Sequence, residues 1–77
     1  MKVTLYTPEY GRDFEADAVF LPGSLAPFEV MPGHAPIIST LTAGIVRWRV
    51  LGREESLEIK GGVARVRGNA IQICVEI

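Results

Sequence analysis

Seventy-seven residues make one domain and leave no room for two. Apolar residues account for 48% and charged ones for 22%, with a mean hydropathy of +0.24, a globular rather than a disordered composition. A net charge of −1 draws it to neither nucleic acid nor anionic lipid, a single cysteine excludes an intrachain disulfide, and no apolar run spans a bilayer.

Glycine and proline recur at the spacing of an all-β sandwich or barrel, and no long stretch keeps helical periodicity free of such a breaker. The chain opens on MKVTLYT, where Val3 and Leu5 alternate with Lys2, Thr4 and Tyr6 as in a strand. The following PEYGRDF turns early and carries acids, unlike a signal or transit peptide. With a lone thiol, Cys74, that fits a reducing compartment, the cytoplasm is the expected location. FEADAVFL sends Glu15 and Asp17 outward and is then apolar on both faces from Ala18 to Leu21, which predicts a bulge or a strand covered on both sides. Pro22-Gly23 and Pro32-Gly33 each predict a type II turn, bracketing a short strand around Phe28 and Val30.

Two hairpins follow. In IVRWRVLGREESLEIK, a turn at Gly52-Arg53 sets Trp48 opposite Leu57, Val46 opposite Ile59 and Arg47 opposite Glu58. The Gly61-Gly62 pair predicts a bend or a close strand approach rather than a phosphate loop, because it leads into a strand and lacks the Lys-Ser/Thr ending. In VARVRGNAIQICVEI, a turn at Gly68-Asn69 pairs Val66 with Ile71 and Ala64 with Ile73. Ile71, Ile73, Val75 and Ile77 then share one face, and Ala70, Gln72, Cys74 and Glu76 the other.

His34 is the only histidine and stands between Pro32 and Pro36. As a base it needs a nucleophile and an orienting acid; Ser39 and Thr40 follow it, but no acid completes a known arrangement. As a metal ligand it lacks partners, so no metal is expected, and packing within the proline-bounded turn is the favoured role. The carboxylates are scattered without an obvious acid–base pair. Arg47, Arg49, Arg65 and Arg67 point outward on the two hairpins and would form a basic stripe, yet Trp48 alternates inward and cannot serve as a base-stacking platform. Solvated arginines partly neutralised by Glu58 are the favoured reading, with a protein partner as the main functional alternative for that face.

From Glu15 to Glu76, about four-fifths of the length, the chain resembles the epsilon subunit of the F-type ATP synthase. The likeness rests on EADAVFLPG, VMPGHAPIISTLTAGIVRWRV and EIKGGVARVRGNAIQICVE, with Pro-Gly-His-Ala-Pro, Gly44 and Gly61-Gly62 in the family's order and spacing. The resemblance implies an all-β fold, a ten-stranded β-sandwich or flattened barrel of short antiparallel strands. It implies a non-catalytic rotor subunit of the central stalk that links the gamma subunit to the ring of c subunits for proton-driven ATP synthesis. No cofactor is implied. Residue by residue, Thr7, His34 and Ser39 fall where the family meets gamma, and the loop Ser24, Leu25, Ala26 and Pro27 falls where it faces the c-ring. The implied location is peripheral, in the F1 sector on the cytoplasmic face of a bacterial inner membrane, without insertion.

Two departures stand out. Where the family has a Gly-Glu-x-Gly run, this chain has Ala26-Pro27-Phe28-Glu29, which changes the turn and removes the acid from its usual place. The family also continues into a C-terminal helical pair that inhibits ATP hydrolysis and in some members binds ATP; residues 1–77 form the sandwich domain alone, so neither property is expected of them. The rival readings are a small β-barrel that binds single-stranded nucleic acid through its arginines and a hydrolase built around His34.

Overall fold

The computed structural model describes Met1–Ile77 as nine strands. These are β1 (Lys2–Tyr6), β2 (Gly11–Glu15), β3 (Ala18–Leu21), β4 (Phe28–Val30), β5 (Ile37–Leu41), β6 (Gly44–Val50), β7 (Arg53–Ile59), β8 (Gly61–Arg67) and β9 (Ala70–Glu76). A five-stranded sheet, ordered β2-β1-β9-β8-β5, packs on a four-stranded sheet, ordered β4-β3-β6-β7. Nine strands stand where the resemblance implies ten, and the stretch after β3 adds only an isolated bridge between Gly23 and Leu41. The expectation of antiparallel strands holds at every ladder but one: β1 runs parallel to β9, with Val3 beside Ile71 and Leu5 beside Ile73. No hairpin joins these two strands, so no tight turn constrains them to run antiparallel as it does the β1–β2, β6–β7 and β8–β9 pairs.

Alternation builds the core. Val3, Leu5, Ala64, Val66, Ile71, Ile73 and Val75 meet Val19, Leu21, Val30, Val46, Trp48 and Ile59 from the other sheet, all 5% exposed or less. No charged residue is buried. Each fully buried aliphatic side chain contributes about 1.5–3 kcal/mol, so this double layer is what offsets the chain entropy lost on folding.

The last hairpin has the expected register, Val66 opposite Ile71 and Ala64 opposite Ile73, with Gly68 at φ 59. The β6–β7 hairpin differs. Its turn is Leu51-Gly52, both at positive φ, so Trp48 faces Glu55, Val46 faces Leu57 and Arg47 faces Ser56. The shift is by two residues, which preserves the inward set while exchanging every cross-strand partner. Arg47 accordingly pairs with Glu54 at 3.4 Å rather than with Glu58.

FEADAVFL is not a bulged strand but two strands in different sheets, and β3 is covered on both sides as expected: Val19 and Leu21 face the core, while on the other face Ala18 is buried and Phe20 is half-buried under Arg47 and Arg49. The chain crosses at Ala16-Asp17, where the Ala16 amide donates to the Met1 carbonyl of the first sheet and the Asp17 amide to the Arg49 carbonyl of the second. Pro32-Gly33 makes the expected turn, with the His34 amide donating to the Met31 carbonyl at 3.0 Å and Gly33 at φ 87. Pro22-Gly23 does not. The Gly23 amide donates back to the Leu21 carbonyl at 3.0 Å, a γ-turn centred on Pro22. Glycine is required there by proximity, since a Cβ on Gly23 would stand 2.8 Å from the Phe28 ring.

The two lateral openings of the sandwich are closed differently. Between β2 and β7, Phe14 packs on Trp48 with centroids 5.0 Å apart, the Arg12 guanidinium lies 4.8 Å over Phe14, and Arg12 reaches Glu55 at 3.5 Å. Charged side chains on both edge strands thus span the mouth and discourage further strand addition. On the other side, the Ser24 amide donates to the Thr40 carbonyl and the Thr42 amide to the Pro22 carbonyl, each at 2.9 Å. These bonds tie the four-stranded sheet to β5 and flatten the sandwich toward a barrel.

Candidate functional site

The outer face of the five-stranded sheet carries the most distinctive surface. Gly11, Tyr6, Cys74, Val63 and Thr40 stand directly opposite one another in turn, one from each strand. The row crosses the whole sheet without a charge. Tyr6 is 48% exposed and Val63 44%, and Ile38, diagonal to Val63, is 73% exposed. Tyr6, Val63 and Ile38 leave apolar surface exposed along this uncharged row, the kind of surface that can take another macromolecule.

The implied site residues are distributed around this row. Thr7 closes its β1 end: its Oγ1 accepts from the amides of Glu9 at 3.1 Å and Tyr10 at 3.0 Å, pinning the β1–β2 turn. Ser24 meets the β5 end, where the Thr40 Oγ1 donates to the Ser24 Oγ at 2.9 Å. Leu25 at the tip of that loop is fully exposed, and Ala26 and Pro27 are exposed beside it. Ser39 faces inward opposite Ala64, half-buried, with its hydroxyl donating to the Thr40 carbonyl. Glu29 sits on β4 opposite Phe20, on the outer face of the other sheet.

His34 lies away from Thr7. It precedes the start of β5, whose Ile37 pairs with Val66, whereas Thr7 follows the end of β1 beside Cys74. Three strand spacings, about 14 Å, separate β1 from β5 as well. The half-buried His34 ring donates from Nδ1 to the Ala35 carbonyl at 2.7 Å. No hydrogen bond joins His34 to Ser39, whose hydroxyl donates to the Thr40 carbonyl instead, so the pair lacks the base–nucleophile contact that a hydrolase needs.

The arginine stripe is divided. Arg47 and Arg49 lie on the outer face of the four-stranded sheet, 4.8 and 5.6 Å over Phe20, while Arg65 and Arg67 lie on the outer face of the five-stranded sheet. Opposite sides of a sandwich cannot track one strand of nucleic acid together. Sequence reasoning missed the uncharged row because its members come from five strands; the only local signal is a neutral residue at an outward position in each.

Comparison with known proteins follows the same lines. Residues 1–77 match the family described as ATP synthase, Delta/Epsilon chain, beta-sandwich domain. The ATP synthase epsilon chain of Bdellovibrio bacteriovorus is 34% identical over 83 aligned positions, covering 100% of this chain and 58% of its own length. That of Desulfitobacterium hafniense is 36% identical over 62, covering 80% of this chain and 47% of its own. The chain thus spans about half the length of the curated relatives it matches. Among solved structures, a chain of the Tetrahymena thermophila mitochondrial ATP synthase central stalk and c-ring superposes with a TM-score of 0.85 at 21% identity, covering 100% of this chain and 63% of that one. A chain of the Euglena gracilis mitochondrial ATP synthase gives 0.89 at 21% identity, covering 95% and 48%. At such identity these two likenesses speak for the fold. With a family match running from its first residue to its last and two packed sheets to match, the chain belongs to the β-sandwich family of ATP synthase delta/epsilon chains.

Proposed function

We propose that this domain is a non-catalytic element of the rotor of an F-type ATP synthase, joining the gamma subunit to the c-ring in the central stalk. The single observation that carries the reading is the uncharged row across the five-stranded sheet, in a chain of this family. A flat sheet whose outward side chains are already ordered loses little entropy on docking, which suits a part that transmits torque. Thr7 borders the row and belongs to the gamma-facing surface, with His34 on its far flank; Ser39, whose side chain faces inward, supports that surface from beneath through its hydrogen bond to the Thr40 carbonyl. Ser24, Leu25, Ala26 and Pro27 form the tip that meets the c-ring, with Leu25 as the apolar contact. In this role the domain sits peripherally on the F1 sector at the cytoplasmic face of a bacterial membrane. The test is co-elution with the cognate gamma subunit at micromolar concentration. A stable complex, lost on Val63→Glu while the variant remains folded, is the expected result; two folded proteins that elute apart overturn the proposal.

A further inference from the structure

Beside the uncharged row lies a hollow of about 290 Å³ walled by Lys2, Arg65 and Arg67 and floored by Ala70 and Gln72. Lys2 and Arg67 both stand directly opposite Ala70, one on each side, and Arg65 stands opposite Gln72. A methyl between two long cationic side chains leaves open space at the centre of the cluster. None of the three cations has a carboxylate within 4.0 Å, whereas Arg12 and Arg47 elsewhere each do. The nearest acid in the register, Glu15 opposite Lys2, lies 3.9 Å from the N-terminal amine instead. Arg65 and Arg67 also wall a second, apolar hollow on their other side, lined by Pro36, Ile37 and Ile38.

We infer that this end of the sheet takes an acidic, amphipathic segment of the docking polypeptide, its carboxylate in the Lys2–Arg65–Arg67 hollow and an aliphatic side chain against Ile38. The inference rests on the proposal above that this face docks gamma. Two arginine forks offer bidentate geometry to a carboxylate, which lysine alone would not. The two hollows lie on β9 and β5, two strand spacings or about 10 Å apart. A helix places residues i and i+7 at about that separation on one face, so the fitting segment is a helix with an acid and an aliphatic residue two turns apart.

The experiment measures the affinity of the full chain for the cognate gamma subunit at about 50 mM and about 500 mM salt, on either side of effective screening. Arg65→Glu and, separately, Arg67→Gln are expected to weaken binding, the reversal by tenfold or more at low salt, with the difference collapsing at high salt. Ile38→Ser is expected to weaken it equally at both salts. Arg53→Glu, at the far turn of the other sheet, makes the same net charge change as Arg65→Glu and is expected to leave affinity unchanged. All four positions are exposed, and thermal unfolding checks that each variant is folded. Wild-type binding that Arg65→Glu and Arg67→Gln leave intact, or that Arg53→Glu weakens as much as Arg65→Glu, overturns the inference and leaves the docking proposal standing. No binding by the wild type overturns both.

Discussion

Gly62 offers the sharpest check on the packing. It lies opposite Val75 in β9 and Leu41 in β5, at the centre of three strands. A Cβ there would meet the Cys74 carbonyl oxygen, the Val75 Cα at 3.0 Å and the Val75 Cγ1 at 3.1 Å. Two of those are backbone atoms held by the β8–β9 ladder, so they yield only if the strands part. Replacing glycine by alanine restricts the unfolded chain and stabilises by about 0.4–1 kcal/mol where the site is open. Forcing a methyl into closed packing costs about 1–3 kcal/mol or more, so the steric term wins. Gly62→Ala is therefore expected to lose about 1–3 kcal/mol from a total of about 4–12 kcal/mol for a chain of this length. Gly61 is the internal control: its Cβ would find only the Leu41 carbonyl oxygen, at 3.4 Å, an ordinary contact. Urea unfolding followed by Trp48 fluorescence reads both, and with a slope near 1 kcal/mol/M the Gly62→Ala midpoint falls by about 1–3 M. A midpoint for Gly62→Ala equal to or above that of Gly61→Ala refutes the reasoning.

Leu51 holds φ 52 in the β6–β7 turn, a region unfavourable to leucine by about 1–2 kcal/mol, so Leu51→Asn, which makes an Asn-Gly turn, should raise the melting temperature by several degrees. Glu55→Gln should change stability by less than about 1 kcal/mol because its ion pair with Arg12 is half exposed, while Arg12→Ala should cost more through the lost stacking on Phe14; urea midpoints separate the two. The buried Trp48 Nε1 has no hydrogen-bond partner, so Trp48→Phe sheds an unsatisfied donor along with its volume. It should destabilise less than Ile73→Ala, for which about 2–5 kcal/mol is expected, and calorimetry that ranks them the other way contradicts this account.

The core was legible wherever alternation alone decided it. Val46 and Trp48 point inward under either register of the β6–β7 hairpin, because a slip by two residues returns each side chain to the same face. The partners were not legible: a leucine in the left-handed region is disfavoured by local energetics, yet the paired strands hold Leu51 there, and Arg47 exchanges Glu58 for Ser56. The crossing at Ala16-Asp17 and the division of the arginines between opposite faces depend on which sheet each strand joins, and a period of two carries no such information. The same holds for the candidate site. Thr7, Ser24 and Ser39 could be named from a family likeness, but the row that links them exists only once β1 pairs with β9 and β5 with β8.

The parallel ladder between β1 and β9 sets an order of events during synthesis. β1 can find only β2 on one side while its other edge stays open, and the partner for that edge is β9, the ninth of the nine strands. Until the residues after Asn69 emerge, the five-stranded sheet lacks the strand that joins β1 to β8, and Val3 and Leu5 have no Ile71 or Ile73 to lie against. Such contacts between distant parts of a chain slow folding, so closing the five-stranded sheet waits on β9.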